Sequence, residues 1–250
     1  MSEIAIRARG IVTRFGQQVV HNGLDLDVRR GEILGVVGPS GCGKSVLLRE
    51  IVGLDPPTEG EIEFPGADEG ETPRLGVMFQ DGALFSTLTL LENVEAPLRE
   101  HADVSAELRS ELAGLKLAMA GLPPDQHHKR PSEISGGMRK RAAVARALAL
   151  DPELLFLDEP TAGLDPISAE RFDRMVEELA RTLGLTVFLV THDLDTLHAV
   201  CDRVAVLYGG KVAAIGTIEE VANNATGWVK EYFSGPRGRA ATRSARDAGE

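Results

Sequence analysis

Gly38-x-x-x-x-Gly43-Lys44-Ser45 sets two glycines, a lysine and a hydroxyl at the spacing of a phosphate-binding loop. Across Gly38, Pro39, Ser40, Gly41, Cys42, Gly43, Lys44, Ser45 and Val46, backbone N–H groups at a helix N-terminus can approach phosphate oxygens. Lys44 would neutralise the β and γ phosphates of a nucleotide, and Ser45 would ligate Mg²⁺. A second constellation is Leu154-Leu155-Phe156-Leu157-Asp158-Glu159, four apolar residues that thread a strand through a core and deliver two carboxylates at its end. Asp158 suits the water shell or coordination of Mg²⁺. Glu159, one residue on, would face a water aligned with the γ-phosphate and act as general base or polariser. Alone, two acids after a strand describe a solvated turn; beside the phosphate loop they read as the second half of one site.

These groups need a strand, a loop and a helix in that order. Ile33-Leu34-Gly35-Val36-Val37 has no polar face, which suits a short strand inside a sheet covered on both sides. It runs straight into Gly38, and Val46, Leu47, Leu48, Ile51 and Val52 follow at helical spacing. Gly53 stands where that helix ends, and Pro56-Pro57 prevents its continuing. Upstream, the runs 4–8, 19–20 and the alternating 24–28 read as short strands. Residues 75–79 read as another, followed by a helical pattern from about Leu90 to Ala120. Ser135 is placed to cap a helix over 136–150, and Asp165 with Pro166 opens a further one. In that helix Ile167, Phe172, Met175, Val176 and Leu179 share an apolar face. Residues 187–190 form another buried strand, and 204–208 with 212–215 a hairpin around Gly209-Gly210. There is no internal repeat. From Ser234 onward the chain is small, polar and arginine-rich, which predicts a mobile tail.

Composition narrows the function. The 250 residues are 43% hydrophobic and 26% charged, the balance of a soluble globular protein rather than a disordered or fibrous one. This length makes one domain, or one domain with a sizeable insertion. Against 27 Lys and Arg stand 38 Asp and Glu, a net charge of −11. That argues against sequence-independent binding to nucleic acid or anionic lipid, where clustered positive charge supplies the affinity. Cys42 and Cys201 lie far apart without a partner motif, which suggests neither a zinc site nor a disulfide and fits a reducing, cytosolic compartment. Residues 1–10 show no secretory signal, and no apolar run approaches the roughly 18 residues that span a bilayer. Work at a membrane would need another chain to provide the membrane part.

Between the two nucleotide motifs lies Ile134-Ser135-Gly136-Gly137-Met138, which resembles the signature sequence of the ATP-binding-cassette (ABC) ATPases. By itself a serine and two glycines opening a helix make either an anion site or an ordinary capped helix. The resemblance implies that Ser135, Gly136 and Gly137 bind the γ-phosphate held by a second copy of the chain, so that two chains sandwich two ATP molecules. It covers about residues 4–215 and carries over element by element. Phe15 stands where an aromatic residue stacks on adenine; tyrosine is commoner there, and a core-facing Phe is the other reading. Gln80 matches the glutamine that senses Mg²⁺ and the attacking water and links the site to the transport partner; an exposed turn glutamine is the alternative. Ala162-Gly163-Leu164-Asp165 corresponds to the loop that crosses the dimer interface, and His192 to the switch histidine that contacts the γ-phosphate. His101, His127, His128 and His198 gain no such support and read as surface or core residues. Cys42, inside the phosphate loop, is either activated by the helix N-terminus or inertly packed. The implied fold is α/β: a P-loop NTPase core (RecA-like) with an antiparallel β subdomain and an inserted α-helical subdomain. One ABC ATPase domain would occupy 1–233, its core 1–80 and 154–233, its helical subdomain about 81–153, with the tail at 234–250.

A narrower likeness lies in Phe79-Gln80-Asp81-Gly82-Ala83-Leu84-Phe85, Leu91-Glu92-Asn93-Val94 and Pro97-Leu98-Arg99-Glu100-His101. This stretch resembles the ATPases of the Mla and Mce phospholipid transport systems, which pair with a multi-pass permease and an Mce-domain lipid carrier. Met138 followed by Arg139, Lys140 and Arg141 fits the same branch. Ala83, Leu84 and Phe85 can equally be subdomain core. The resemblance implies an enzyme with ATP and Mg²⁺ as cofactors, a homodimer on the cytoplasmic face of the inner membrane, membrane contact through the permease, and no nucleic acid. The alternatives are the ATPase of another ABC transporter, moving drugs, metabolites or lipoproteins, and a soluble cassette ATPase outside transport. Trp228, Tyr232 and Phe233 are placed to anchor the last helix to the ATPase core or to the second protomer.

Overall fold

The computed structural model describes residues 3–67 and 72–234. In chain order the strands are β1 (Ile4–Phe15), β2 (Gln18–Arg29), β3 (Ile33–Val37), β4 (Glu59–Glu63), β5 (Leu75–Met78), β6 (Leu154–Asp158), β7 (Thr186–Val190), β8 (Arg203–Tyr208) and β9 (Lys211–Gly216). The α-helices are α1 (Lys44–Ile51), α2 (Leu90–His101), α3 (Ala106–Met119), α4 (Gly136–Ala147), α5 (Pro166–Leu183), α6 (Leu194–Val200), α7 (Ile218–Asn223) and α8 (Gly227–Ser234). The described residues fall into two compact units, one within Met1–Thr72 and Phe188–Glu250, the other within Pro73–Val187.

In the first unit β2, β1 and β4 make an antiparallel sheet in that order. The sequence suggests short strands here, yet β1 and β2 each run 12 residues. Their ladder slips register between Ala8 and Ile11 and again near Ile11–Val12. Gly10 and Gly23, at φ of 59° and 72°, take left-handed conformations beside these slips. A bulge shifts the phase of the apolar alternation without ending the strand, so one strand reads as two. Strand β4, Glu-Gly-Glu-Ile-Glu, escapes sequence reading because it is an exposed edge whose charges discourage further pairing.

Strand β3 is buried throughout, as its apolar run implies, and lies parallel to β8, with Leu34 opposite Arg203 and Val37 opposite Val206. Strands β8 and β9 form the expected antiparallel hairpin. Helices α6, α7 and α8 close this side through a cluster that includes Val37, Leu197, Val206, Val221, Val229 and Phe233. Trp228 stacks on Tyr208 with ring centroids 5.4 Å apart and on Tyr232 at 5.1 Å. The aromatic anchor of the last helix therefore sits on its own chain. Ser234, expected to begin the tail, is instead the last residue of α8, and the rest of the predicted tail, 235–250, lies outside the described residues.

In the second unit β5 runs parallel to β6, with Leu75 opposite Leu154 and Met78 opposite Leu157. The long helical pattern after Leu90 is two helices, α2 and α3. Thr89 and Glu92 close a capping box on the first, and the Ser105 hydroxyl accepts the Leu108 N–H at 3.2 Å on the second. Helix α4 stops at Ala147, three residues before the expected end at 150. Helix α5 begins as expected, with Asp165 as cap and Pro166 at its first position, and buries Phe172, Met175, Val176 and Leu179. Ile167 departs from that face: it is 63% exposed, in a first turn that lies ahead of the buried stretch beginning at Phe172.

Candidate functional site

The first unit carries the glycine loop. Helix α1 follows β3 after residues 38–43 and has Gly43 as its N-cap, so no side chain closes its first N–H groups and no acid stands in its first turn. N–H groups without a side-chain cap and the positive end of the helix dipole favour an anion here. Lys44 Nζ donates to the carbonyl oxygens of Gly38 at 3.0 Å and Pro39 at 3.2 Å, which folds the lysine back over the loop. Ser40, Gly41 and Ser45 are exposed, and Pro39, Cys42 and Val46 are half-buried. Phe15 ends β1 with 56% of its surface exposed, which removes the core-facing reading. His192 follows β7 and is exposed; its carbonyl accepts the Tyr232 hydroxyl at 3.2 Å, which ties this loop to α8.

Burial pushes the Cys42 thiol up, outweighing the lowering by the Lys44 charge. Inert packing is therefore the better of the two readings. Iodoacetamide should alkylate Cys42 at pH 7.5 more slowly than a free cysteine, because the raised pKa leaves less thiolate, and the rate should climb only as pH passes above the ordinary thiol range. Peptide mapping after timed labelling checks this; faster alkylation would show that the helix N-terminus prevails.

The second unit carries the carboxylates. Asp158 ends β6 with 6% of its surface exposed, and Glu159 takes a left-handed φ of 48° immediately after it. That conformation is strained for a glutamate, and such strain persists only where surrounding contacts hold it. One of these contacts is Lys140 of α4, whose Nζ donates to the Glu159 carbonyl at 3.2 Å. Burial holds the Lys140 ammonium below the usual lysine range, against the charges of Asp81 and Glu159. At the N-terminus of α4, Ser135 is exposed and caps the helix, its hydroxyl accepting the Met138 N–H at 3.3 Å. Gly136 and Gly137 form the first turn beside a cavity lined in part by Ser135, Met138, Arg141, Ser168 and Arg171. Asp165 accepts the Ser168 N–H at 3.0 Å, and the bonds from Ser168 hold its carboxyl below the usual range.

Gln80 follows β5 and is exposed. The next residues are strained, with φ of 63° at Asp81 and 47° at Ala83. Arg146 of α4 pins them by donating to the carbonyls of Gly82 at 3.0 Å and Ala83 at 2.7 Å, its guanidinium 6.0 Å over the Phe85 ring. Buried Asn93 clamps the Phe85 backbone, accepting its N–H at 2.7 Å and donating to its carbonyl at 3.1 Å. Ala83 is exposed, Leu84 half-buried and Phe85 54% exposed, so these three are not core. With Val77, Ala96, Pro97 and Glu100, Phe85 and Arg146 line an open groove.

Sequence reasoning missed His21, Thr13 and Glu50, which meet beneath the glycine loop. The signal was present in part: Glu50 stands three residues after Leu47 on the buried face of α1. The bulge in β2 hid that His21 shares the inward face of Leu24 and Leu26.

Ser45 in the first unit and Asp158 in the second each carry a hard oxygen of the kind that Mg²⁺ requires. Among the described residues no group of three His, Cys, Asp or Glu could hold a metal alone. The family model described as ABC transporter matches residues 21–162. The chain belongs to the ABC transporter family. The intermembrane phospholipid transport ATP-binding protein MlaF of Haemophilus influenzae is 36% identical over 94% of this chain and 92% of its own length. The probable ribonucleotide transport ATP-binding protein mkl of Mycobacterium leprae is 35% identical over 94% of this chain and 70% of its own length. A dimeric bacterial ABC transporter cassette has a TM-score of 0.76 at 32% identity, covering 85% of this chain and 98% of its own; a post-hydrolysis dimer of such a cassette, bound to ADP and Pi, has 0.76 at 31% over the same shares. The cassette described here is an ABC transporter ATP-binding subunit and an ATPase, built on the expected α/β P-loop NTPase fold with an antiparallel β subdomain and helical parts. No helix among its described residues is long and apolar enough to cross a membrane.

Proposed function

We propose that this cassette energises phospholipid transport through a membrane permease of the Mla/Mce type. The observation that carries the reading is the 36% identity to MlaF over 94% of the chain and 92% of that relative. The exposed Phe85 and its pinned loop add support, since they offer a partner an apolar surface in the segment where the resemblance is narrowest. The comparable identity to mkl, named for ribonucleotide transport, carries the second reading, a cassette serving another transporter.

In the proposed cycle two copies close on two ATP molecules at the cytoplasmic face of the inner membrane. Phe15 stacks on adenine, the amides of residues 38–46 and Lys44 hold the phosphates, and Ser135, Gly136 and Gly137 of the second copy meet the γ-phosphate. Ser45, Asp158 and Gln80 would hold Mg²⁺, which when bound neutralises phosphate charge. Water attacks the γ-phosphorus, its proton passes toward Glu159, and the bond to the ADP oxygen breaks. His192 steadies the γ-phosphate, and Asp165 lies at the dimer interface. Residues 81–153 form the helical subdomain that meets the permease, and an Mce-domain lipid carrier completes the system; no nucleic acid takes part. Tagging the chain, purifying it from gently solubilised native membranes and identifying co-purifying proteins and lipids by mass spectrometry tests this. A multi-pass permease with an Mce-domain protein and bound phospholipid is the expected result. A different permease, or nucleotides in place of lipid, would overturn the lipid assignment and leave the ATPase standing.

A further inference from the structure

Thr13 of β1, His21 of β2 and Glu50 of α1 form a polar cluster inside the first unit, with the His21 and Glu50 side chains fully shielded from solvent at 0% exposure each. His21 Nδ1 lies 2.9 Å from the Thr13 hydroxyl oxygen and 3.1 Å from Glu50 Oε2, and the Thr13 hydroxyl donates to Glu50 Oε1. On the other edge of the ring, Nε2 faces the Gly43 carbonyl oxygen at 3.2 Å. A carbonyl only accepts, so Nε2 carries a proton and donates it. Thr13 and Glu50 fix the plane of the ring, and the ring fixes the carbonyl.

That carbonyl also accepts the Leu47 N–H at 2.8 Å, the first hydrogen bond of α1. Across a planar trans peptide the C=O and the following N–H point in opposite directions. Holding the Gly43 oxygen from inside the unit therefore holds the Lys44 N–H outward along the axis of α1. Burying three polar side chains where apolar ones would pack is a poor route to stability, so their return is better sought in geometry.

We infer that His21, oriented by Thr13 and Glu50, is a positioning residue for the phosphate loop, locking the Gly43–Lys44 peptide so that its amide is aimed at the nucleotide phosphates. The inference rests on reading residues 38–46 as that loop. The full chain and three variants test it. His21→Gln keeps an N–H donor near the place of Nε2, and His21→Asn reaches only as far as Nδ1. The double variant His21→Leu with Glu50→Leu removes the cluster without leaving a carboxylate buried and unpaired.

Dissociation constants for Mg²⁺-ADP, KM and kcat for ATP, and melting temperatures are the readouts. In the Asn and double variants the Mg²⁺-ADP constant and the KM should both rise about fivefold, the effect of one lost hydrogen bond. kcat should change less than twofold, the pattern of lost uniform binding. His21→Gln should stay within twofold of the parent, and the double variant should melt close to it. Parent-like Mg²⁺-ADP binding by the double variant would reduce the cluster to packing and overturn the inference. So would equal weakening in the Gln and Asn variants, a comparison that stands even if the double variant fails to fold. A parent chain that does not bind Mg²⁺-ADP would sink the phosphate-loop reading, and this inference with it.

Discussion

Glu159→Gln should lower ATP turnover at least a hundredfold while leaving nucleotide binding intact. The substitution preserves shape and the left-handed backbone at φ 48°, together with the Lys140 bond to the residue's carbonyl, so the site keeps its geometry. What disappears is an oxygen able to take a proton from the attacking water, and removing a general base of this kind costs roughly 10²–10⁴ in rate. Phosphate release measured beside Mg²⁺-ATP binding separates the two effects. Size-exclusion chromatography with ATP should show the variant trapped as a dimer, because closure proceeds and reopening does not. A turnover equal to the parent's would remove Glu159 from the mechanism.

Gly43→Ala should damage both the fold and the phosphate loop. Gly43 has φ 102°, a conformation that L side chains rarely adopt, and a Cβ there would stand 2.5 Å from His21 Nε2 and 2.5 Å from Val20 Cγ1. Strain of this type costs on the order of 1–3 kcal/mol, and relieving the collision means pushing the loop off His21 or the β2 segment off α1. The expected outcome is Mg²⁺-ADP binding weakened more than tenfold and a melting temperature lower by roughly 5 °C, since each kcal/mol moves a chain of this size by about 2–4 °C. Calorimetric titration and thermal unfolding of the same preparation check it. Parent-like values for both would mean that the loop adapts at little cost and that the contact with β2 constrains nothing.

The strained positions fall in a pattern. Of the four non-glycine residues with positive φ among the described residues, Asp81 and Ala83 lie in the loop after β5, beside Gln80, and Glu159 directly follows β6 and Asp158. Helix α4 supplies a cation to each region, Arg146 to the Gly82 and Ala83 carbonyls and Lys140 to the Glu159 carbonyl. Two basic residues of α4 are thus tied to backbone that would otherwise relax. Lys140 is 6% exposed, which a lysine accepts only with a partner that repays desolvation.

Much of the architecture was legible because it depends on short-range periodicity. Strands β3, β6 and β7 are buried along their whole length, as unbroken apolar runs require. The Asp165 cap and Pro166 at the first turn of α5, and the hairpin at Gly209-Gly210, follow from local backbone preference. Failures came where a local signal was ambiguous. Gly10 and Gly23 look like breaks and are bulges, β4 has no apolar pattern, and Ile167 keeps helical spacing although its turn precedes the packed face.

By itself the sequence determined the order of chemistry along the chain: glycine loop, glutamine, signature, paired carboxylates and histidine, each recognisable because its chemistry is contained in a few consecutive residues. Tertiary structure alone decided what supports them. Thr13 and Glu50 stand 37 positions apart, and Arg146 and Gly82 stand 64 apart. No periodicity links such pairs; they meet only because bulged strands and packed helices bring a buried hydroxyl to a buried carboxylate and a half-buried guanidinium to a backbone carbonyl, where an unpaired partner would cost more than the bond returns.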